Sequence, residues 1–171
     1  MQTSNNSHSS SQPHRSNPSA SLQDSILIRT ETDRDTSQLG ELMSQLGYPV
    51  ESDEWKDRLN ELRGHKDYRI QVAERSGQLL GLIVLHRELP LLRSQPEVQV
   101  MALVVSEESR GSGVGGQLLR TAEVWAEELG AYCVKLTSGN RDERIPAHHF
   151  YRNQGYTAGS TGFSRRVKGQ K

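Results

Sequence analysis

Apolar positions along the chain recur with two periods, every second residue in some stretches and every third or fourth in others, and the switches between them delimit the elements. "SILIRTE" reads as a first strand. Leu39, Leu42, Met43 and Leu46 then follow helical spacing, with Asp33, Asp35 or Thr36 as the cap and Gly47 as the stop. Trp55, Leu59 and Leu62 line one face of a second helix that Ser52 begins and Gly64 ends. "YRIQVAE" and "LLGLIVLHREL" are strands joined by the turn "RSGQ", a hairpin, and "EVQVMALVVS" is a fourth strand. A helix over 114–129 carries Leu118, Ala122, Trp125 and Leu129 toward the core, and Gly130 closes it. "AYCVKLTSG" predicts a fifth strand, "RIPAHHFYRNQ" a short helix ended by Gly155, and "YTAGSTGFSRRV" one or two final strands.

The order β-α-α-β-β-β-α-β-α-β places antiparallel hairpins first. The fourth strand, long helix and fifth strand form one βαβ unit, which forces a parallel pair and a right-handed crossover. The predicted fold class is therefore α/β: a mixed, mostly antiparallel central sheet with one parallel βαβ unit and helices on both faces. Residues 25–167 make one domain. The Ser- and Asn-rich residues 1–24 hold little to bury and are expected to be a disordered tail, and 168–171 form a short C-terminal tail.

Charge narrows the function classes. Basic and acidic residues number 21 each, so composition gives no electrostatic footprint for nucleic acid or an anionic membrane. No apolar run approaches the roughly 20 residues that cross a bilayer, and the N-terminus lacks the apolar core of a signal peptide. The single cysteine, Cys133, excludes an intrachain disulfide and a cysteine-based metal cluster, and its strand setting suits a small hydrophobe better than a nucleophile. His148 and His149 are adjacent rather than one helical turn apart, and His8 and His14 lie in the tail, so no metal is expected. A reducing, cytoplasmic setting fits these features.

The chemistry concentrates in "VMALVVSEESRGSGVGGQLL", where Gly111, Gly113, Gly115 and Gly116 stand at the start of the long helix. A helix N-terminus offers free N–H groups and partial positive charge, and glycine lets a phosphate approach them, with Arg110 adding a cation at the rim. An ATP-cradling loop is excluded, because Gln117 and Leu118 stand where it needs Lys and Ser or Thr. A dinucleotide fingerprint is matched by Gly111, Gly113 and Gly116. Five residues separate it from its strand, however, and the next strand ends in Thr137-Ser138-Gly139 with no ribose-binding acid.

The remaining match, Arg110-Gly111-Ser112-Gly113-Val114-Gly115, resembles the acetyl-CoA loop of the GCN5-related N-acetyltransferase (GNAT) family. "YCVKLTSGNRDERIPAHHFYRNQGY", ending in Phe-Tyr-x-x-x-Gly-Tyr, and the closing "FSRRV" resemble that family's later segments, so the likeness spans about 25–167. It implies a sheet splayed between the fourth and fifth strands. It also implies a diphosphate on the amides of Arg110, Gly111, Ser112, Gly113, Val114 and Gly115, with Gly116 behind them. The pantetheine arm would pair with backbone near Leu103, Val104 and Val105, an N–H near Leu103 would face the thioester oxygen, and Asn140 would contact the arm. Tyr151 would be the general acid for the departing thiolate, leaving Phe150 to the core. Many members carry Glu where this chain has Gln99, which cannot act as a base; Glu97, two residues earlier on the same strand side, could act through a water.

The implied activity is direct transfer of acetyl from acetyl-CoA to a primary amine of a small molecule or peptide, without metal. The acceptor would enter over the first two helices and the loop near Leu46, Gly47, Tyr48 and Pro49, where Asp53, Glu54 and Asp57 could attract a cation. A homodimer stays open. The alternative is a catalytically weak acyl-CoA-binding regulatory or interaction module, which Gln99 keeps in play; a nicotinamide oxidoreductase ranks behind both.

Overall fold

A computed structural model describes residues 25–49 and 52–167; the expectations for 1–24 and 168–171 fall outside the described residues. Five strands, β1 (Leu27–Thr30), β2 (Tyr68–Arg75), β3 (Gln78–Glu88), β4 (Glu97–Val105) and β5 (Val134–Leu136), form one sheet in chain order. The first three pairings are antiparallel and β4 runs parallel to β5. Among the described residues four α-helices accompany them: α1 (Thr36–Gln45), α2 (Ser52–Arg63), α3 (Val114–Glu128) and α4 (Ile145–Asn153). The predicted mixed α/β layer is thus the observed one, with α3 as the crossover between the parallel strands.

Each sheet face has its own core. Leu39 and Leu42 of α1 and Trp55 and Leu59 of α2 pack on Ile70, Val72, Leu82, Val84 and Val104. On the other face the α3 stripe Val114, Leu118, Leu119, Ala122, Trp125 and Ala126 covers Ala73, Ile83, Leu85, Val98 and Val100, with Phe150 and Tyr151 of α4 against its margin. The helical spacing of that stripe is what makes α3 a core helix. Gly81 of β3 is the closest approach, since a Cβ there would sit 2.8 Å from the Val104 carbonyl oxygen and 3.0 Å from Leu118 Cδ1. Ion pairs fix the first face at its β1 edge. Arg29 bridges the buried Asp35 and Glu74, and Arg63 from the end of α2 holds Glu31 and Asp33. The Arg29 guanidinium and the Thr32 N–H together hold the Asp35 carboxyl down at about 2.

Two expectations change. The fifth strand is only three residues long, and 156–167 form no strand at all. The reason lies in composition. Between Tyr156 and Phe163 the segment is Gly, Ser, Thr and Ala, which offer no apolar face to hold it against β5. Phe163 and Val167 accordingly stay almost fully exposed.

β4 carries a bulge. Ala102 pairs with Val84 and Val100 with Leu85, so Met101 is an extra residue. The bulge reverses the alternation: Val98 and Val100 face α3 before it, whereas Leu103 and Val105 face α3 after it. Gln99 and Leu103, four residues apart, consequently lie on opposite faces of the sheet.

Candidate active site

The glycine loop forms as a tight turn that delivers the chain into α3. Residues Glu107–Ser109 make a short 3-10 turn, and Gly111 (φ +79°) and Gly113 (φ +87°) adopt the left-handed conformation that glycine reaches without strain. Two loop amides serve the turn itself: Arg110 N–H reaches the Glu107 carbonyl and Ser112 N–H the Ser109 carbonyl. The first bond inside α3 runs from Gln117 N–H to the Gly113 carbonyl at 3.1 Å. The N–H groups of Val114, Gly115 and Gly116 therefore lack helical partners, and no side chain caps the helix. This row of amides, rather than every amide from Arg110 onward, is the part able to grip an anion. Arg110 is exposed at the rim, 3.5 Å from Glu107.

Gly115 is required by packing, and Gly116 sits close to a single side chain. A Cβ on Gly115 would lie 3.0 Å from Phe150 Cζ, and one on Gly116 3.2 Å from Gln154 Oε1. Phe150 is thereby wedged against the start of α3, which sets the position of its neighbour Tyr151.

From the loop, β4 leads back to a fork. β5 pairs with β4 only at Val98, Gln99 and Val100, so β4 from Met101 to Val105 is bonded to β3 alone. Ser106 N–H donates to Leu80 O, and the alternation of an antiparallel ladder then turns the polar backbone of Val104 toward β3 and that of Leu103 and Val105 into the fork. Of the three residues expected to meet a pantetheine arm, Leu103 and Val105 turn their N–H and C=O groups into the fork, and the Val104 side chain is buried under α1 and α2.

Tyr151 stands on α4, half-buried, its ring 5.3 Å from Phe150 and 6.2 Å from Tyr156. Burial pushes its phenol above the ordinary range, with the Arg144 charge pulling partly back. Tyr156 is pushed up to about 12 by burial and by the nearby Glu123 and Tyr151, and its buried hydroxyl has no hydrogen-bond partner among the described residues. Asn140 is exposed just beyond β5. An open cleft of about 950 Å³ includes Asn140 and Tyr151 but no residue of β4 or the glycine loop. It is the space between the free edge of β5 and the unpaired segment after Gly155, so the fork is located by backbone geometry and not by this volume.

On the α1/α2 face, one rung before the fork, a polar row crosses the sheet: Tyr68, His86, Gln99 and Lys135. Lys135 Nζ lies 2.7 Å from both Glu88 and Glu97, so Glu97, the water-relay candidate, is an ion-pair partner. Cys133 is partly buried, and burial together with the Glu97 charge raises its thiol, the opposite of nucleophile activation. His148 Nε2 lies 2.9 Å from the Gly139 carbonyl and tethers α4 to the end of β5, while His149 is exposed. Among the described residues no group of three or more His, Cys, Asp or Glu could hold a metal, and no helix is long and apolar enough to cross a membrane. Sequence periodicity could not reveal the bulge at Met101, and hence which β4 residues share a face; the two left-handed glycines were the readable signal.

Comparison with known proteins bears on the family and the fold. Residues 36–156 match the family described as Acetyltransferase (GNAT) family. The chain is 33% identical over 115 residues to the aminoalkylphosphonate N-acetyltransferase of Salmonella typhimurium, covering 67% of this chain and 71% of that protein. A GNAT family acetyltransferase from Staphylococcus aureus superposes with TM-score 0.73 at 26% identity, over 84% of this chain and 99% of that one. The fold is also that of AAC(6')-Iy, solved in complex with the bisubstrate analog CoA-S-monomethyl-acetylneamine, with TM-score 0.73 at 16% identity over 85% and 99% of the two chains.

Proposed function

The chain belongs to the acetyltransferase (GNAT) family, and on that premise we propose that it moves an acetyl group from acetyl-CoA directly to a primary amine of a small molecule or peptide. The observation that carries the reading is the pairing of two features on one strand-to-helix path: unpartnered amides at the mouth of α3, and a half-strand of β4 whose polar backbone lacks a partner strand. They suit the two parts of coenzyme A, a diphosphate and an arm with amide groups, in that order. When bound, acetyl-CoA supplies an activated acyl group as a thioester.

The protein's residues do the rest. The N–H groups of Val114, Gly115 and Gly116 bind the diphosphate, with Arg110 at its edge and Gly111, Ser112 and Gly113 in the turn that aims them. Leu103 and Val105 align the arm, and the Leu103 N–H stabilises the carbonyl oxygen as it gains charge. Asn140 holds the arm from the β5 side. Tyr151, kept protonated by its buried setting, gives its proton to the departing sulfur. Glu88, Glu97 and Lys135 together carry one excess negative charge beside the fork, which favours a cationic amine over an acidic group at the point of attack.

Thiol release from acetyl-CoA over a panel of amines tests this reading. Turnover should be lowered about 100-fold in Tyr151→Phe, with calorimetric coenzyme A binding retained. Coenzyme A binding without turnover on any amine would instead make the chain a regulatory binding module, and failure to bind would end both readings.

A further inference from the structure

We infer that His86 is the base that deprotonates the acceptor ammonium, directly or through one water held between its ring and the Gln99 side chain. This rests on the acetyltransferase reading. A primary ammonium titrates near 10 and cannot attack until it loses a proton. The proton must go to a group toward the closed end of the fork, because an arm that starts at the α3 mouth and follows β4 backward puts its thioester at the Leu103 N–H, facing the point where β5 rejoins β4 at Val100.

Four polar side chains stand near that point on the α1/α2 face. Gln99 cannot take a proton, and Glu97 and Lys135 are bound to each other at 2.7 Å. His86 is the fourth. It sits on β3 directly opposite Gln99, its ring lies 4.5 Å from that of Tyr68 and tilted 34° to it, and the ring makes no hydrogen bond to another described residue. The ring contact holds the imidazole while leaving both nitrogens available, which suits a proton acceptor better than a structural histidine.

The charged and titratable groups around it are Tyr68 and, edge-on behind that ring, His65 from the β2 side; Glu88 on its own strand; and Glu97 and Lys135 from β4 and β5. The helices over this face bring Met43, Leu46 and Leu62 to its apolar core. The protons balance. R–NH₃⁺ gives one proton to the His86 imidazole. The amine nitrogen forms the N–C bond and the C–S bond breaks. Tyr151 protonates the sulfur and recovers a proton from the second N–H of the attacking nitrogen. The imidazolium then releases its proton to water, so the products are amide, thiol and one H⁺.

The test compares kcat/KM against pH for the wild type, His86→Gln, His86→Ala and Glu97→Gln with one accepted amine, alongside coenzyme A calorimetry and imidazole-region NMR. In His86→Gln, kcat/KM at neutral pH should fall about 100-fold. The acidic limb should be replaced by a rate that climbs about tenfold per pH unit toward the amine's own titration, with coenzyme A affinity retained. Free imidazole should restore part of the rate to His86→Ala, and the wild-type resonance missing from His86→Gln should move when the amine is added. A His86→Gln enzyme that keeps its rate and its acidic limb, or a limb lost in Glu97→Gln instead, overturns the assignment alone. A wild type that releases no thiol with any amine overturns the acetyltransferase reading and this inference with it.

Discussion

The four glycines at the start of α3 divide into two pairs that answer to different physics. Gly111 and Gly113 sit in open space with positive φ, and they are glycine because of backbone conformation. Gly115 and Gly116 have helical backbone and face α4 and its C-terminal end, where a Cβ would meet the Phe150 ring at the first and the Gln154 side-chain amide at the second. The first pair shapes an anion cradle; the second lets Phe150 and Gln154 close over the helix, which carries Tyr151 to the same end of the sheet. A motif that reads as one binding device is a binding device joined to a packing device, and substitutions can separate them.

The largest separation is expected at Gly115. Gly115→Val would drive methyl groups into the Phe150 ring and toward Val105 Cγ2, the latter 3.5 Å from the Cβ position. Over-packing of this kind costs about 3 kcal/mol, read as a lowered midpoint in urea unfolding. Turnover should fall with it, because the ring that moves adjoins Tyr151. Unchanged stability would mean that α4 can shift freely and that the second pair has no packing role.

Gly113→Ala should do the reverse. A side chain at φ +87° costs about 1 to 2 kcal/mol, and the backbone relieves that strain by rotating the amides at the α3 mouth. Coenzyme A affinity should weaken about tenfold, some 1.4 kcal/mol by calorimetry, while Tyr151 keeps its place. A variant that binds as tightly as the wild type would dissociate the left-handed turn from the cradle.

How much of this was legible follows from the same contrast. The strand-to-helix switch, the Arg110–Gly115 pattern and the α3 stripe depend on residues close in sequence, and the α/β order and parallel β4–β5 pair follow from them. Which face a β4 residue occupies depends on the Met101 bulge, a property of pairing with β3, and counting by twos from Glu97 or Gln99 across Met101 to Leu103 places residues on the wrong side of the sheet. His86 drew no attention for the same reason, since its neighbours Tyr68 and Gln99 come from other strands. The expected closing strands failed on composition: a run of small polar residues cannot anchor Phe163 and Val167 against β5.

A double-mutant cycle sharpens the division at lower energy. Gly115→Ala combined with Phe150→Leu should show a coupling of about 1 kcal/mol in unfolding free energy, since the smaller side chain relieves the 3.0 Å contact. Gly113→Ala with Phe150→Leu should be additive within about 0.5 kcal/mol, because nothing lies within 4 Å of the Gly113 Cβ position. Equal coupling in both cycles would dissolve the two pairs into one.

Gly116 is the mildest case, and its sign can be argued. A Cβ there meets the Gln154 amide, 3.2 Å from Oε1, and Gln154 is exposed. The far end of a long, solvent-facing side chain moves away at little cost, unlike the Phe150 ring that Gly115 meets. Against that small loss stands helix propensity, where Ala is favoured over Gly by about 1 kcal/mol in a helix interior and by less in the first turn. Gly116→Ala should therefore be neutral or stabilising by about 0.5 kcal/mol in urea unfolding. The N–H that the cradle uses is untouched, so coenzyme A binding should hold within about twofold, well under 1 kcal/mol. A clear loss of stability would show that Gln154 is held in place more firmly than its exposure implies, and would move Gly116 into the same class as Gly115.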